Sequence, residues 1–448
     1  MALTGIQIFK LLPKTNCGEC GVPTCLAFAM NLAAAKAELA SCPYISAESK
    51  ALLSEASAPP IRPVAIGSGD NVVKIGGETV LFRHEKTFVN KPGLALMISD
   101  VMPADEVAER IKRFNLLKYE WIGLVLRAEM IATKNESGDA GQFAALVKKV
   151  MDETDAALIL MSDSADALKA ALQVAAQRTP LIYAATDGNA EAMVALAKEY
   201  KCPLAAKAAN LESLALLADK ISAAGVKDIV LDGGARTVRG AFEEQVFVRR
   251  AALVQKNRSL GFSTIAFPCE MTNDPMKEAL IAAALIAKYA GIIVLSDFQG
   301  ESLFPLLVAR LNIYTDPQRP MMMQQGIYPI GNPNEDSPVL ITTNFALTYF
   351  IVSGEIEASR VPSWLMVMDT EGLSVLTAWA AGKFVGDAIG QFVKKSGITE
   401  KVKHKKIVIP GFVAAVSGDL EEELGPEWEV KIGPREAAHL SPFLKLGV

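Results

Sequence analysis

At 448 residues the chain has room for two or three domains, each able to bury its own core. Hydrophobic residues make up 51% and charged residues 21%, a balance that excludes intrinsic disorder. The net charge is −5 with no Lys/Arg cluster interleaved with aromatics, which argues against nucleic acid; the basic run 401–406 (KVKHKK) reads as a solvated loop.

The first residues lead straight into a cysteine-rich stretch, so no signal peptide is expected. The longest apolar run, 279–295, is broken by Lys288 and Tyr289 and is too short to span a bilayer. A reduced, cytoplasmic protein without a membrane partner is the expectation.

Four of the six cysteines, Cys17, Cys20, Cys25 and Cys42, follow the spacing C-x2-C-x4-C-x16-C, and Pro43 comes next. Four thiolates in so short a span suit a cuboidal iron–sulfur cluster, one sulfur per iron. Gly18 and Gly21 allow the tight turn such a loop needs, and a helix over 24–37 would point its positive end at the cluster. A structural zinc site would usually show two paired hooks or a histidine, and a disulfide would need an oxidising compartment. Zinc and free thiols remain the alternatives.

Residues 54–63 (SEASAPPIRP) read as a linker. Beyond it, 72–75 and 79–82 flank Gly76-Gly77 as a hairpin would. Short apolar runs then recur at 94–99, 121–126, 156–161, 180–185, 203–207, 228–231, 264–267 and 291–296. Amphipathic stretches such as 103–114, 165–176, 191–200, 211–224 and 275–289 separate many of them. Eight strand–helix units at a spacing of ~25 residues are the arithmetic of a (β/α)8 TIM barrel.

Asp100, Asp163, Asp187, Asp232, Glu270 and Asp297 follow these strands and would ring the barrel's C-terminal mouth, where ligands usually sit. Each also suits a helix N-cap, as Ser162-Asp163-Ser164 illustrates. No histidine belongs to this ring, since the chain's three are His84, His404 and His439. Cys202 and Cys269 are isolated and read as core residues.

The stretch 321–335 looks like a connection to a third domain. There strands at 339–342, 365–368, 406–409 and 429–432 alternate with helices at 346–356, 375–381, 385–395, 418–424 and from Arg435 onward. A small Rossmann-like open sheet with helices on both faces fits, and ligands of such sheets bind beyond the strands' carboxyl ends. The loops there are Thr342-Thr343-Asn344, Asp369 to Ser374 (DTEGLS), Pro410-Gly411 and Gly433-Pro434. Their hydroxyls, glycines and helix-start N–H groups suit a large cofactor. Turn chemistry alone accounts for the same residue types. No GxGxxG or Walker sequence is present, which argues against nicotinamide and nucleoside triphosphates. The expected domains are therefore 1–57, a linker and hairpin at 58–92, the barrel at 93–325 and the open sheet at 326–448.

The module C-G-E-C-G-x-P-T-C…C-P, followed by a TIM barrel, a small Rossmann-like domain and the loop D-T-E-G-L-S-V at 369–375, resembles the large (gamma) subunit of corrinoid iron–sulfur proteins. That family belongs to the Wood–Ljungdahl pathway and the acetyl-CoA decarbonylase/synthase complexes. The resemblance implies a methyl carrier rather than an enzyme with catalytic residues of its own. Its cobamide would take a methyl group from methyltetrahydrofolate through a separate methyltransferase and pass it to acetyl-CoA synthase/CO dehydrogenase. A [4Fe-4S] cluster on Cys17, Cys20, Cys25 and Cys42 would reductively reactivate the cobalt, alongside a reductive activator.

The resemblance also implies a heterodimer with a smaller barrel subunit, the cobamide lying between that partner and the C-terminal domain. Thr342, Thr343, Asn344, Thr348, Thr370, Glu371, Gly372, Leu373, Ser374, Gly411 and Gly433 would hold the corrin edge and tail. No D-x-H-x-x-G occurs, and His404 and His439 read as surface residues, so base-off, His-off binding is expected. Two rival functions stay open: a pterin-dependent barrel methyltransferase, and an electron-transfer or scaffold subunit without corrinoid.

Overall fold

The computed structural model describes residues 4–33, 37, 39–46, 48–50, 52–53, 59–316, 319 and 321–447. They form two compact units, Met1–Lys118 with Arg127–Tyr314, and Tyr119–Leu126 with Thr315–Val448. Among the described residues no helix is long and apolar enough to cross a membrane.

The first unit begins with the helices Gly5–Leu11 and Cys25–Ala33. Thr4 and Gln7 close a capping box at the start of the first. Ile8, Leu12, Phe28 and Leu53 give this N-terminal module a small core of its own. The expected helix 24–37 thus ends at Ala33, and 34–36 lie outside the described residues, as do 54–58 of the expected linker.

Strands β1 (Val64–Ile66) and β2 (Val73–Ile75) pair antiparallel. The expected hairpin over 72–75 and 79–82 is corrected here: the partner of β2 lies before it, and 79–82 is not a strand. Gly76 serves a close approach instead. A Cβ there would lie 3.2 Å from the carbonyl carbon of Arg62, and its φ is +77°.

Strand β3 (Gly93–Ser99) starts the barrel, and the chain then leaves it through β4 (Tyr119–Trp121) and β5 (Leu124–Leu126). It returns through β6 (Met130–Lys134), β7 (Ala157–Met161), β8 (Leu181–Ala185), β9 (Leu204–Lys207), β10 (Ile229–Asp232), β11 (Ser263–Ala266) and β12 (Ile292–Leu295). These strands close in the order β10–β11–β12–β3–β6–β7–β8–β9. The TIM barrel is present, with one member exchanged: 121–126 is not a barrel strand, and β6 takes its place. Strands buried on both faces read as apolar runs, and all seven residues of β3 are buried. Val64, Ile66, Val73 and Ile75 join the interior layer of Met97, Met130 and Ile159, so the β1–β2 hairpin packs into the barrel core. Arg310, on the helix Gly300–Ile313, bonds both oxygens of Glu129 at 2.7 Å and the carbonyls of Pro92 and Arg127 at 2.8 and 3.0 Å. This ties the last helix to the starts of β3 and β6.

The second unit is a five-stranded sheet in the order β13–β15–β14–β16–β17, formed by Gly326–Ile330, Val339–Thr343, Ser363–Met368, Lys406–Ile409 and Glu429–Ile432 in chain order. β13 runs antiparallel on the edge, where Pro329 is tolerated; it lies within the stretch expected to be an irregular connection. The parallel strands follow the flavodoxin-like pattern, in which the chain turns to one side after its first strand and to the other after its second. The last helix is Leu440–Lys445, preceded by a turn at Ala437–His439, rather than one helix from Arg435.

The β4–β5 hairpin belongs to the core of this sheet unit. Its loop, Ile122-Gly123, has φ of +57° and +72°, as a type I′ turn requires. Ile122 is 8% exposed and packs in a core with Met323, Ile330 and Leu340, and Trp121 stacks on Phe350 with centroids 4.7 Å apart. Trp121→Ala should therefore destabilise the sheet unit by about 2–3 kcal/mol, below the ~3–5 kcal/mol of a fully buried large aromatic because Trp121 is only half-buried. Thermal unfolding followed by limited proteolysis would check this. Unchanged resistance of the 315–447 region would show that the hairpin only rests on it.

Candidate functional site

The four cysteines sit in the N-terminal module. Cys25 and Cys42 are buried in its core, Cys20 packs against that core, and Cys17 is exposed. Gly18 and Gly21 have φ of +79° and +83°, and the Gly21 N–H donates to Gly18 O at 3.0 Å, closing the hook between Cys17 and Cys20. Cys25 is the first residue of its helix, and its N–H donates to Asn16 Oδ1 at 2.8 Å. Tyr44 OH donates to Glu19 Oε1 at 2.7 Å, joining the segment after Cys42 to the hook and raising the phenol above its ordinary pKa. Among the described residues no three His, Cys, Asp or Glu side chains stand as a metal-binding group. The structure thus brings three of the cysteines to one core without setting the sulfurs as a cage. The donor set itself, four soft thiols and no histidine, fits an iron–sulfur cluster.

At the barrel mouth four of the six acids are engaged by their neighbours. Asp100 accepts from Ser137 Oγ at 2.6 Å, Asn135 Nδ2 at 2.7 Å and the N–H of Glu136 at 2.8 Å. Burial acts to raise this carboxyl, but the hydrogen bonds from Ser137 and Asn135 outweigh it and hold it below the usual carboxylate range. Asp232 takes the Arg236 guanidinium at 3.0 and 2.8 Å and the Tyr183 hydroxyl, while Arg236 also pairs with Glu270 and lies over the Phe267 ring. Asp297 pairs with Arg113 at 3.0 Å. Asp163 and Asp187 are exposed, and Ser164 caps its helix through Ala167 N at 3.3 Å. Burial pushes the Cys269 and Cys202 thiols up to about 12, so both stay protonated at neutral pH. These contacts are structural; nothing in them requires a substrate.

The carboxyl end of the open sheet differs. A cavity of about 130 Å³ opens between β14 and β16, where the strand order reverses. Leu340, Ile341, Val408, Ile409 and Leu440 form much of its apolar wall. Thr342, Thr348 and Gly433 line it too. The hydroxyl of Thr342 is buried and has no hydrogen-bond partner, and neither has that of Thr343 on the next position. Gly411 does not line the cavity but packs against the loop after β17, which does: its N–H donates to Pro434 O at 3.1 Å, and a Cβ there would lie 2.8 Å from Pro434 C.

Asn344 organises the loop after β15. Its Oδ1 accepts from the N–H groups of Thr370 and Gly372, each at 3.0 Å, and its Nδ2 donates to Asp369 Oδ1 at 2.9 Å. The loop Thr370–Glu371–Gly372–Leu373–Ser374 is thereby fixed, with Glu371 and Gly372 at φ of +57° and +74° and Glu371 paired to Lys383. None of these five residues lines the cavity; Val375, the next residue, does. Pro434 of the Gly433-Pro434 loop lines it as well, and so do Phe412 and Arg435, which escaped the sequence reading although Arg435 directly follows that loop. Around this end Leu347, Ile351, Leu376, Trp379 and Phe412 are each 43–58% exposed. Such a group of large apolar side chains marks a surface meant to be covered. His404 sits at the opposite, amino end of β16, half-buried, donating from Nε2 to Ser337 O at 2.9 Å and accepting from Lys406 N at Nδ1. His439 is exposed.

The apolar cavity at a switch point, with Thr342, Thr348 and Gly433 in its lining, fits the tail of a large cofactor. With a four-cysteine module and a TIM barrel, these features define an α/β protein whose open sheet carries a cavity at its switch point.

Comparison with known proteins carries this to a family. Residues 63–444 match the family model "CO dehydrogenase/acetyl-CoA synthase delta subunit", and residues 12–44, which hold all four cysteines, match "Putative Fe-S cluster". The "Corrinoid/iron-sulfur protein large subunit" of Moorella thermoacetica is 46% identical, covering 99% of both chains. The "Acetyl-CoA decarbonylase/synthase complex subunit gamma" of Methanopyrus kandleri is 36% identical over 99% of this chain and 97% of that one. Its counterpart from Methanothermobacter thermautotrophicus is 34% identical over 99% of both. The chain belongs to the family of corrinoid/iron-sulfur protein large subunits and acetyl-CoA decarbonylase/synthase gamma subunits.

Proposed function

We propose that the chain is a methyl carrier, the large subunit of a corrinoid iron–sulfur protein that serves acetyl-CoA synthesis or cleavage. The observation that carries this reading is the switch-point cavity, in a chain that also bears a four-thiol module. A cobamide bound there would supply a nucleophilic Co(I) centre that accepts a methyl group from methyltetrahydrofolate, a separate methyltransferase assisting, and yields it to acetyl-CoA synthase. A [4Fe-4S] cluster held by Cys17, Cys20, Cys25 and Cys42 would supply the low-potential electron that restores that state.

The chain's own residues bind and orient. Thr342, Thr348 and Gly433 would line the space for the cofactor tail, Gly411 would let the loop after β17 pack close, and Asn344 would fix the 370–374 loop at the corrin edge. The exposed Leu347, Ile351, Trp379 and Phe412 would meet the corrin and the smaller partner subunit, and so keep water from the methyl-transfer face. With His404 engaged at the far end of β16, no histidine of this sheet lines the cavity, which supports base-off, His-off binding.

The decisive experiment is anaerobic purification with the smaller subunit, followed by iron and cobalt analysis and a visible spectrum. About four irons and one cobalt per heterodimer are expected, with a corrinoid band that responds to methyltetrahydrofolate plus its methyltransferase. Iron without cobalt would sink the carrier reading and leave an electron-transfer subunit.

A further inference from the structure

Asn16 holds an N–H that a cluster could otherwise use. Its backbone is left-handed, with φ of +49°, and its side chain reaches the start of the helix Cys25–Ala33. There Oδ1 accepts from Cys25 N at 2.8 Å. Thr24 Oγ1 takes the N–H of Ala27 at 3.1 Å. Two of the first three N–H groups of this helix end are therefore committed to side-chain oxygens. Since Asn16 directly precedes Cys17, its carboxamide bridges the segments that carry two of the four thiols.

That arrangement bears on the potential of the cluster. An iron–sulfur cluster gains negative charge on reduction, and an N–H bonded to one of its sulfurs stabilises the reduced form more than the oxidised one. Each such bond raises the reduction potential, and each one withheld keeps it low. The N–H groups in a helix's first turn have no intrahelical partner, so they are free to serve as such donors. The Cys25 N–H is of this kind, and it belongs to a residue whose own sulfur is in the donor set. Asn16 takes it out of supply.

Resting on the cluster being held by the four cysteines, we propose that Asn16 is a positioning residue that keeps the cluster's reduction potential low, by holding the Cys25 N–H on its carboxamide and away from the cluster's sulfurs. Helix capping alone would give the contact a part in stability and none in the potential. Placement favours the redox role. The usual cap position, directly before the helix, is already filled by Thr24. Asn16 comes from the other side of the cysteine hook and adds an acceptor for the single N–H of the thiol-bearing residue. Its release should raise the ratio of reduced to oxidised cluster about tenfold at a fixed poise, or ~59 mV for a one-electron couple.

The test uses the full chain with its partner subunit, purified anaerobically, and reads the cluster potential by redox titration followed by electron paramagnetic resonance. Asn16→Gly removes the acceptor and adopts the left-handed backbone without strain, so the tenfold rise is expected there. Asn16→Asp keeps an acceptor and adds a negative charge, so its potential should match the wild type or fall below it. In 15N-labelled protein, pulsed resonance of Asn16→Gly should show one backbone nitrogen coupling more than the wild type, a signature that water entering in place of the carboxamide does not give. A potential unchanged or lowered in Asn16→Gly, or raised in Asn16→Asp, would overturn the inference, as would a raised potential without the added coupling. Complete loss of iron from Asn16→Gly would overturn it too, since Asn16 would then build the site rather than tune it. Absence of a cluster signal from the wild type would overturn the cluster reading itself.

Discussion

Cys25→Ala, purified anaerobically with the partner subunit, is expected to fall from about four irons per chain to less than one, with loss of the cluster's visible absorption. Cys25 is the cysteine whose position is most constrained. It opens the helix Cys25–Ala33, its N–H is taken by Asn16 Oδ1, and its side chain is buried between helices. No neighbouring oxygen ligand can move into that place without breaking the module's core. Cys17 differs, because it is exposed on the hook where water or an added serine can reach. Cys17→Ser should therefore retain part of the iron while Cys25→Ala retains almost none. Cobamide affinity should stay within about twofold of wild type in both, because every residue lining the cavity belongs to the other compact unit. Reductive reactivation should drop to background, while methyl transfer by chemically reduced protein persists. Full iron retention in Cys25→Ala would remove it from the ligand set.

Why the barrel could be read from the chain, and one strand of it could not, follows from local chemistry. Strands buried on both faces are continuous apolar runs, and β3, β7, β8 and β12 announce themselves that way. The run W-I-G-L-V-L at 121–126 imitates them. What it encodes is a two-residue turn, but Ile122 occupies a left-handed position where Asn or Gly is usual, so the turn signal is hidden. Ile122 tolerates the strain because its side chain is buried in the sheet unit. The true neighbour, β6, is M-I-A-T-K, short and ending in a lysine. One strand gained and one lost left the count of eight right. β13 was hidden for the opposite reason: Gly326 and Pro329 are breakers in most contexts and acceptable on an antiparallel edge.

The site divides along the same line. The cysteines stand out by short-range spacing, whereas the glycines at 411 and 433 and the threonines at 342 and 348 are expected beside a cofactor only through the family resemblance. Most of the cavity wall is not legible. Leu340 faces Val408 only because β14 pairs with β16, a contact made across an intervening strand and several helices. Phe412, Val352 and Leu440 look like any other apolar residues until that pairing brings them together. That Asn344 also builds the 370–374 loop is not visible in the sequence, since its carbonyl oxygen accepts from N–H groups 26 and 28 residues away. Local sequence can say that a polar residue sits at a strand end. Which group it faces depends on the topology.

Gly411→Val should abolish cobamide binding most selectively, weakening it on the order of 100-fold, or ~2.7 kcal/mol. The first atom added to Gly411 would press on the carbonyl oxygen of Gly433 and lie 2.8 Å from Pro434 C and 2.9 Å from Arg435 N. All of these are backbone atoms of the loop after β17, and none is a flexible tip that could swing aside. The loop must move, and Gly433, Pro434 and Arg435 all line the cavity, so its wall moves with them. Overpacking of this kind costs about 1–3 kcal/mol of stability, a loss the sheet unit should survive. Gly418→Ala is the matched control. Gly418 lies in the next helix, Ser417–Leu424, with open space where a Cβ would go, so alanine there should be neutral or slightly stabilising and leave binding unchanged. Iron content should not respond to either change. Gly411→Val that binds cobamide as wild type would move the cofactor tail out of this cavity, even if the heterodimer still carried cobalt. Loss of binding with iron intact and the fold retained would tie the tail to the gap between β14 and β16.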